Sequence, residues 1–193
     1  MRSLLSAFVL ATAVAFAGSS VALATPITFG ANLTGAAEIP PTATTGTGFA
    51  TVVLDPAAHT LHVDVTFSGL TSGTTASHIH CCVPSVQPPN GNLLVATTTP
   101  TFAGFPLGVT SGNYDNTLDL TLSTSYNATY ITNNGGTTAS AEAALLAAIA
   151  AGKAYFNLHS TSVPGGEIRT FLQPFDATPT ARSTWGRIKS LFR

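Results

Sequence analysis

The sequence has 193 residues, of which 45% are hydrophobic and only 8% are charged, against roughly 25% charged residues in an average soluble domain. Seven basic and eight acidic residues give a formal net charge of -1, so the chain lacks the positive field needed to neutralise a phosphate backbone, which argues against nucleic-acid binding. The length allows one domain of ordinary size. Frequent Thr, Val, Gly and Pro, with scarce Lys and Glu, predict mainly β structure.

The N-terminus has the pattern of a secretory signal peptide. Arg2 supplies a positive n-region, residues 4–16 form an apolar run, and Ala22-Leu23-Ala24 is an A-x-A cleavage site. The alternative is a membrane anchor, but the apolar run is shorter than the ~20 residues that a spanning helix needs. We therefore expect residues 1–24 to be removed and the mature chain to be secreted or periplasmic, where disulfides are permitted.

Runs of β-forming residues between Gly and Pro turns predict several strands in the first half of the mature chain. The clearest runs from Leu61 to Phe67, where apolar residues alternate strictly with polar ones, so that one face is buried and the other is in water. The predicted strands in this half are 28–34, 49–55, 61–67, 74–80 and 93–97. A Pro-rich loop separates the last two of these strands.

The second half of the chain mixes loop, strand and helix patterns. Residues 100–114, rich in Gly and Pro, predict an ordered loop, and the alternating leucines of 118–122 predict a strand. The Ala-rich stretch 139–151 predicts the one helix, capped by Thr138 or Ser140 and ended by Gly152. Two further strands, 154–159 and 167–172, are predicted to form a hairpin.

Together these elements predict an antiparallel β-sandwich with Greek-key-like connections and one inserted α-helix, because a parallel sheet would need alternating helices. We assign the domain to residues 25–175. The remaining segment, 176–193, holds four of the six basic residues of the mature chain. It is either a basic amphipathic helix that contacts a membrane surface or a partner, or a terminus without a role.

The densest cluster of reactive side chains is His78-Ile79-His80-Cys81-Cys82. Residues two apart on a strand project to the same side, so His78 and His80 could present two imidazoles to one ion. His159 is the best third ligand, since it shares a strand face with Tyr155 and Asn157. Imidazole ligands suit zinc or copper. The alternative is structural, with both rings hydrogen-bonded at a strand end.

His59 and His62 are weaker candidates for ligands, because His62 alternates with a buried face and is expected in solvent. Cys81 and Cys82 are the only cysteines. They could form a vicinal disulfide, an intermolecular bridge, or a pair of thiols that helps to hold a metal. A vicinal disulfide would be strained and redox-labile, because adjacent Cα atoms lie about 3.8 Å apart, below the usual disulfide range.

Gly165 and Gly166 precede Glu167 and Arg169, which stand two apart on a predicted strand. These residues predict a turn with an ion pair that fixes the hairpin, or alternatively a role for Glu167 in orienting a histidine. The sequence contains no G-x-S-x-G elbow, no H-E-x-x-H helix and no phosphate-binding glycine loop. An ordinary hydrolase is therefore not supported.

Several motifs follow one another along the chain: LTGAAEIPP (33–41), GTG (46–48), GL (69–70), HIH (78–80), NG (90–91), AGKAYFNLH (151–159) and PGGEIR (164–169). In this order they resemble the CHRD domain family from about residue 27 to residue 173. The resemblance implies an extracytoplasmic, β-rich module of undefined biochemical activity. Cys81-Cys82 and the long insert 100–130 depart from many members, so the growth-factor role of chordin is not carried over.

His78 and His80 are also similar to the H-x-H pair of copper-zinc superoxide dismutase. The chain lacks a visible zinc loop and the spaced cysteines of that enzyme. We therefore expect a secreted, non-catalytic binding or structural module, with a copper or zinc site as a further expectation. A copper-dependent, dismutase-like redox enzyme is the alternative, and a module whose Thr-rich sheet faces bind a protein or glycan partner is the third reading.

Overall fold

The computed structural model describes residues 25–82 and 93–175. The predicted signal peptide (1–24) and the predicted basic tail (176–193) lie outside the described residues. The strands are β1 (Ile27–Thr34), β2 (Thr47–Asp55), β3 (Thr60–Ser68), β4 (Thr74–His80), β5 (Gly112–Asp119), β6 (Tyr155–Ser160) and β7 (Ile168–Phe171). The helices are α1 (Ala128–Asn133) and α2 (Thr138–Ala150).

The strands of the described residues pair antiparallel into one curled, half-barrel sheet in the order β4-β6-β7-β1-β2-β3-β5. The mainly antiparallel β architecture is thus confirmed. The two-sheet sandwich and the Greek-key connections are not, because β1 pairs with both β2 and β7 and so joins the two halves of the chain in one continuous sheet. Since the sheet curls, one of its faces can enclose much of the core.

Alternation along β3 shows how the sequence produces the core. Leu61, Val63, Val65 and Phe67 are buried, whereas the residues between them are partly or fully exposed, as the period of two predicts. The loops and helices close the opposite side of the core. The buried side chains that they contribute include Phe102, Phe105, Tyr126, Tyr130, Leu145 and Ile149.

Helix α2 forms where the alanine-rich stretch predicted it, and Gly152 follows its end with φ of 65°. The predicted cap was wrong by one residue. Thr137 is the N-cap, and its side chain accepts a hydrogen bond from the backbone N–H of Ser140 in a capping box. The expectation of one inserted helix was also wrong, because Asn127 caps a second, short helix, α1.

Two predicted strands differ from those observed. Residues 93–97 contribute only isolated bridges, to β4 and to Tyr126, since they serve as a strap along the edge strand. Strand β5 begins at Gly112 and ends at Asp119, so residues 112–114 of the predicted loop 100–114 belong to the strand. It stops before the predicted 118–122 run is complete, because the Asp119 carboxylate accepts the backbone N–H of Thr121 in a turn.

Strands β4, β6 and β7 are covered on both faces. Ile79, Phe156 and Ile168 belong to the core cluster on one side. Opposite residues in antiparallel strands share a face, and His78 pairs with Asn157, which pairs with Arg169. We call this second surface of the three strands the site face. No helix of the described residues is long and apolar enough to cross a membrane.

Candidate metal centre

Three histidines meet on the site face. His78 and His80 stand two apart on β4, and His159 lies on the neighbouring strand β6. One nitrogen from each ring contributes to a cluster in which all of these atoms lie within 4.8 Å of one another. His78 and His80 are 6% and 5% exposed, and His159 is half-buried. The structure therefore brings together the three residues that the strand alternation nominated.

Each histidine ring is held by a backbone carbonyl from a loop. The pairs are His78 Nε2 with Pro100 O at 2.6 Å, His80 Nδ1 with Leu93 O at 2.8 Å, and His159 Nδ1 with Pro164 O at 2.9 Å. A carbonyl oxygen can only accept, so the ring nitrogen donates in each pair. In the neutral imidazole the other nitrogen then carries a bare lone pair. Hydrogen bonds of this kind fix the tautomer and orientation of metal-binding histidines.

The bare nitrogens are directed at one another. His78 Nδ1 lies 3.4 Å from His159 Nε2, and two nitrogens bound at roughly 2.0–2.1 Å to a tetrahedral ion lie about 3.4 Å apart. His80 Nε2 is buried and has no hydrogen-bond partner among the described residues. The three rings thus offer a mixed set of ligand atoms, one Nδ1 and two Nε2, around a common point.

Burial makes these rings neutral near pH 7. It lowers the pKa of His78 to about 4 and the pKa of His80 to about 4, although the hydrogen bonds to the carbonyls act in the opposite direction. Burial also lowers the pKa of His159. The unprotonated imidazole is the form that binds metal ions, so the donor set is ready at neutral pH without the loss of a proton.

A buried polar cluster lies beside the histidines on the site face. The fully buried Arg169 donates from Nε to the Ala37 carbonyl at 2.5 Å and lies 3.7 Å from Glu38 Oε2. Asn157 donates to Glu38 Oε1 at 3.2 Å. Burial raises the pKa of Glu38 to about 7, while the Arg169 charge and the Asn157 hydrogen bond lower it by less. The segment before β2 is thereby tied to β6 and β7.

Glu167 directly precedes β7 and makes different contacts from Arg169, which lies within that strand. Its Oε1 accepts hydrogen bonds from the Thr44 hydroxyl at 2.5 Å and the backbone N–H of Thr71 at 2.6 Å. The carboxylate thus ties two loops to the start of β7, and Arg169 has its ion pair with Glu38 instead. The groups that orient the histidines are carbonyls.

The two glycines of the predicted turn lie close to the polar cluster. Gly166 has φ of 125°, which favours glycine, and an added Cβ would come within 2.6 Å of the Asn157 amide and 2.9 Å of Glu38 Oε1. Gly165 lines a cavity of about 170 Å³ together with Glu38 and Gly166. Any side chain at 166 would therefore displace the cluster beside the site.

Cys81 and Cys82 are joined by a vicinal disulfide, with a cis peptide bond between them and Cα atoms 3.0 Å apart. Of the three arrangements that the sequence left open, the structure has the vicinal disulfide. Both sulfurs lie 3.5 Å from the Tyr130 hydroxyl, beside a cavity of about 270 Å³ that Leu94 also lines. The sulfurs are bonded to each other and are not among the clustered ligand atoms.

The other two histidines lie apart from this cluster. His59 Nδ1 contacts the Glu142 carboxylate at 3.0 Å, and His62 Nε2 contacts Asp115 at 2.8 Å. Sequence reasoning missed the three carbonyls, because loop positions carry no periodic pattern. It also missed the contact of Tyr155 with His80, for which the shared strand face was the available signal.

A comparison with protein families matches residues 29–172 to the CHRD domain. The chain belongs to the CHRD family. No curated protein and no solved structure matches the chain. All three clustered histidines lie within the CHRD match, and membership supports a domain of non-catalytic or binding type. The CHRD resemblance predicted for about residues 27–173 is thus confirmed.

Proposed function

We propose that this CHRD domain is an exported, non-catalytic binding module that holds one transition-metal ion, zinc or copper, through His78, His80 and His159. The observation that carries the proposal is that one nitrogen from each of three imidazole rings converges on a common point. The other nitrogen of each ring donates to a backbone carbonyl. Export follows from the predicted signal peptide, with cleavage after Ala24.

A cation between these rings offsets an unfavourable contact. With both carbonyl hydrogen bonds made, His78 Nδ1 and His159 Nε2 face each other at 3.4 Å with two lone pairs and no proton between them. His80 Nε2 is buried without a partner, and an unpaired buried acceptor costs about 1–3 kcal/mol. One metal ion satisfies all three nitrogens at once.

The donor set favours some ions over others. Three imidazoles without a carboxylate suit zinc and copper, whereas calcium and magnesium require oxygen ligands. Three protein ligands leave a coordination position open, a number that is also typical of catalytic zinc sites. For this reason the copper-dependent, dismutase-like redox enzyme remains the second candidate, and superoxide turnover by the copper-loaded protein distinguishes it from a binding module.

The test is metal content after equilibrium dialysis of the purified protein against zinc or copper, followed by desalting. We expect about one equivalent per chain in the wild type and a large loss in His78→Ala, His80→Ala and His159→Ala, since each removes one ligand. His62→Ala is the matched control, because this ring contacts Asp115 away from the cluster, and it should retain the metal. Equal retention in all variants would refute the proposed site.

A further inference from the structure

Tyr155 contacts the candidate ligand His80 directly. The two rings stack in parallel, with centroids 4.7 Å apart and planes 7° from one another. Tyr155 is fully buried, and it sits on β6 opposite His80 on β4, so that its ring lies on the site face and not in the main core. The stack sets the plane of the His80 ring.

Tyr155 also acts on His80 through a second route. Its hydroxyl oxygen accepts the backbone N–H of Leu93 at 3.0 Å. The carbonyl of the same Leu93 accepts the Nδ1–H of His80 at 2.8 Å. The Tyr155 hydroxyl therefore holds the same residue whose carbonyl receives the His80 ring, and so helps to keep that acceptor beside His80.

The tyrosine is itself held firmly. The Arg169 guanidinium lies 4.7 Å from the centre of its ring, a distance at which a cation is attracted to an aromatic face. Phe171, opposite Tyr155 on β7, meets the ring at 5.7 Å in an edge-on contact. The ring is therefore constrained from β7 while it constrains His80 on β4.

We propose that Tyr155 is a positioning residue that fixes the plane of His80 and the tautomer in which Nε2 is free to bind the metal. This inference rests on the proposed metal-binding function. Partners of this kind, one step removed from the ion, typically change metal affinity by about 10- to 100-fold when they are lost. No contact between Tyr155 and the ion is needed.

The first test requires no metal. Nitrogen-15 NMR of the histidine rings in the metal-free wild type should show His80 protonated at Nδ1, and Tyr155→Phe, which keeps the stacked ring but lacks the hydroxyl, should show a mixture of tautomers. A wild-type His80 protonated at Nε2 would overturn the inference. This wild-type measurement can overturn the inference even if the variant fails to fold.

The second test is a competition titration of zinc against a chromophoric chelator, with electron paramagnetic resonance of the copper(II)-loaded protein. Tyr155→Phe should bind zinc about 10- to 100-fold more weakly and show altered copper hyperfine splitting. The matched control is Tyr126→Phe, which removes another buried hydroxyl, one that donates to Leu120 O at 3.0 Å, and it should match the wild type.

The outcomes separate the two proposals. Wild-type affinity and an unchanged copper spectrum in Tyr155→Phe would overturn the positioning role while the metal site stands. A wild type that binds no zinc or copper would instead contradict the proposed function, and comparison of the His80 tautomer in the wild type and in Tyr155→Phe would still decide whether Tyr155 positions the ring.

Discussion

The surroundings of Glu38 have opposing effects on the pKa of its carboxyl group. It is only 3% exposed, with the Arg169 Nε 3.7 Å from one carboxylate oxygen and the Asn157 amide on the other. Loss of hydration disfavours the carboxylate, and the neighbouring cation favours it. Because burial is the larger effect, the pKa of Glu38 is raised from 4.5 to about 7, and the residue titrates near neutral pH.

This raised pKa predicts a pH-dependent stability. Between about pH 4.5 and pH 7 the folded protein holds a proton on Glu38 that the unfolded chain has lost. The stability that this proton contributes is complete below pH 4.5 and is lost as the pH rises through about 7, by up to roughly 3 kcal/mol. Glu38→Gln lacks the titrating group, so the wild-type free energy of unfolding should fall relative to that of the variant across this range.

Urea denaturation of both proteins at closely spaced pH values between 4 and 8 measures this difference. Subtraction of the two curves removes the contributions of the other titrating groups, including the histidines, whose lowered pKa values act with the opposite sign. A difference that stays constant with pH would show that Glu38 has the same pKa in the folded and unfolded states.

At the scale of elements, the edge strand β4 carries two of the three ligands. It pairs with β6 on one side, and residues 93–97 run along its other side, where Cys81 N–H donates to Leu94 O and Ala96 N–H donates to Ile79 O. This strap brings Leu93 to His80. The strand itself was predictable to the residue, 74–80, whereas the strap was mistaken for a paired strand because both patterns consist of short apolar runs.

Helix α2 was predictable for a different reason. Alanine dominates its sequence, and propensity summed over such a length is informative. Helix α1 was not predictable, since Ala128–Asn133 is short and contains Thr, Tyr and Ile, which are weaker helix formers than Ala. Its position follows from the Asn127 cap and the burial of Tyr130. Burial of this kind depends on the tertiary fold and leaves no local pattern.

The cap of α2 gives a prediction at this scale. Thr137→Ala removes the side-chain acceptor for the Ser140 N–H and should lower the free energy of unfolding by about 1 kcal/mol. Thr138→Ala, at the first helical position, is the matched control and should have little effect. Thermal or chemical denaturation compares them, and an equal loss in both variants would argue against Thr137 as the cap.

For the whole molecule, the strands and the face on which each histidine lies could be read from alternation, but the pairing order could not. The pairing of β4 with β6 brings together His78 and His159, which are 81 positions apart in the sequence. Patterns in a single sequence carry no information on such contacts. A sandwich was predicted from the many short strands and the lack of alternating helices, yet the pairing of β1 with β7 continues the sheet. The site is a product of that pairing.

The same fold explains how a ligand distant in the sequence, His159, joins His78 and His80. Two strands supply the rings, and three loops, at Leu93, Pro100 and Pro164, supply the carbonyls that orient them. A metal ion bound there would link all of these segments. The three-histidine site is therefore defined by the atoms around the ion, and these can be identified by a measurement of the coordination sphere.

That measurement is zinc-edge X-ray absorption spectroscopy of the zinc-loaded wild-type protein. We expect three imidazole nitrogens at about 2.0–2.1 Å and no sulfur neighbour, with the imidazole scattering reduced in His159→Ala. A sulfur shell at about 2.3 Å would place Cys81 or Cys82 on the ion and contradict the three-histidine site, as would a shell of oxygen atoms without imidazole.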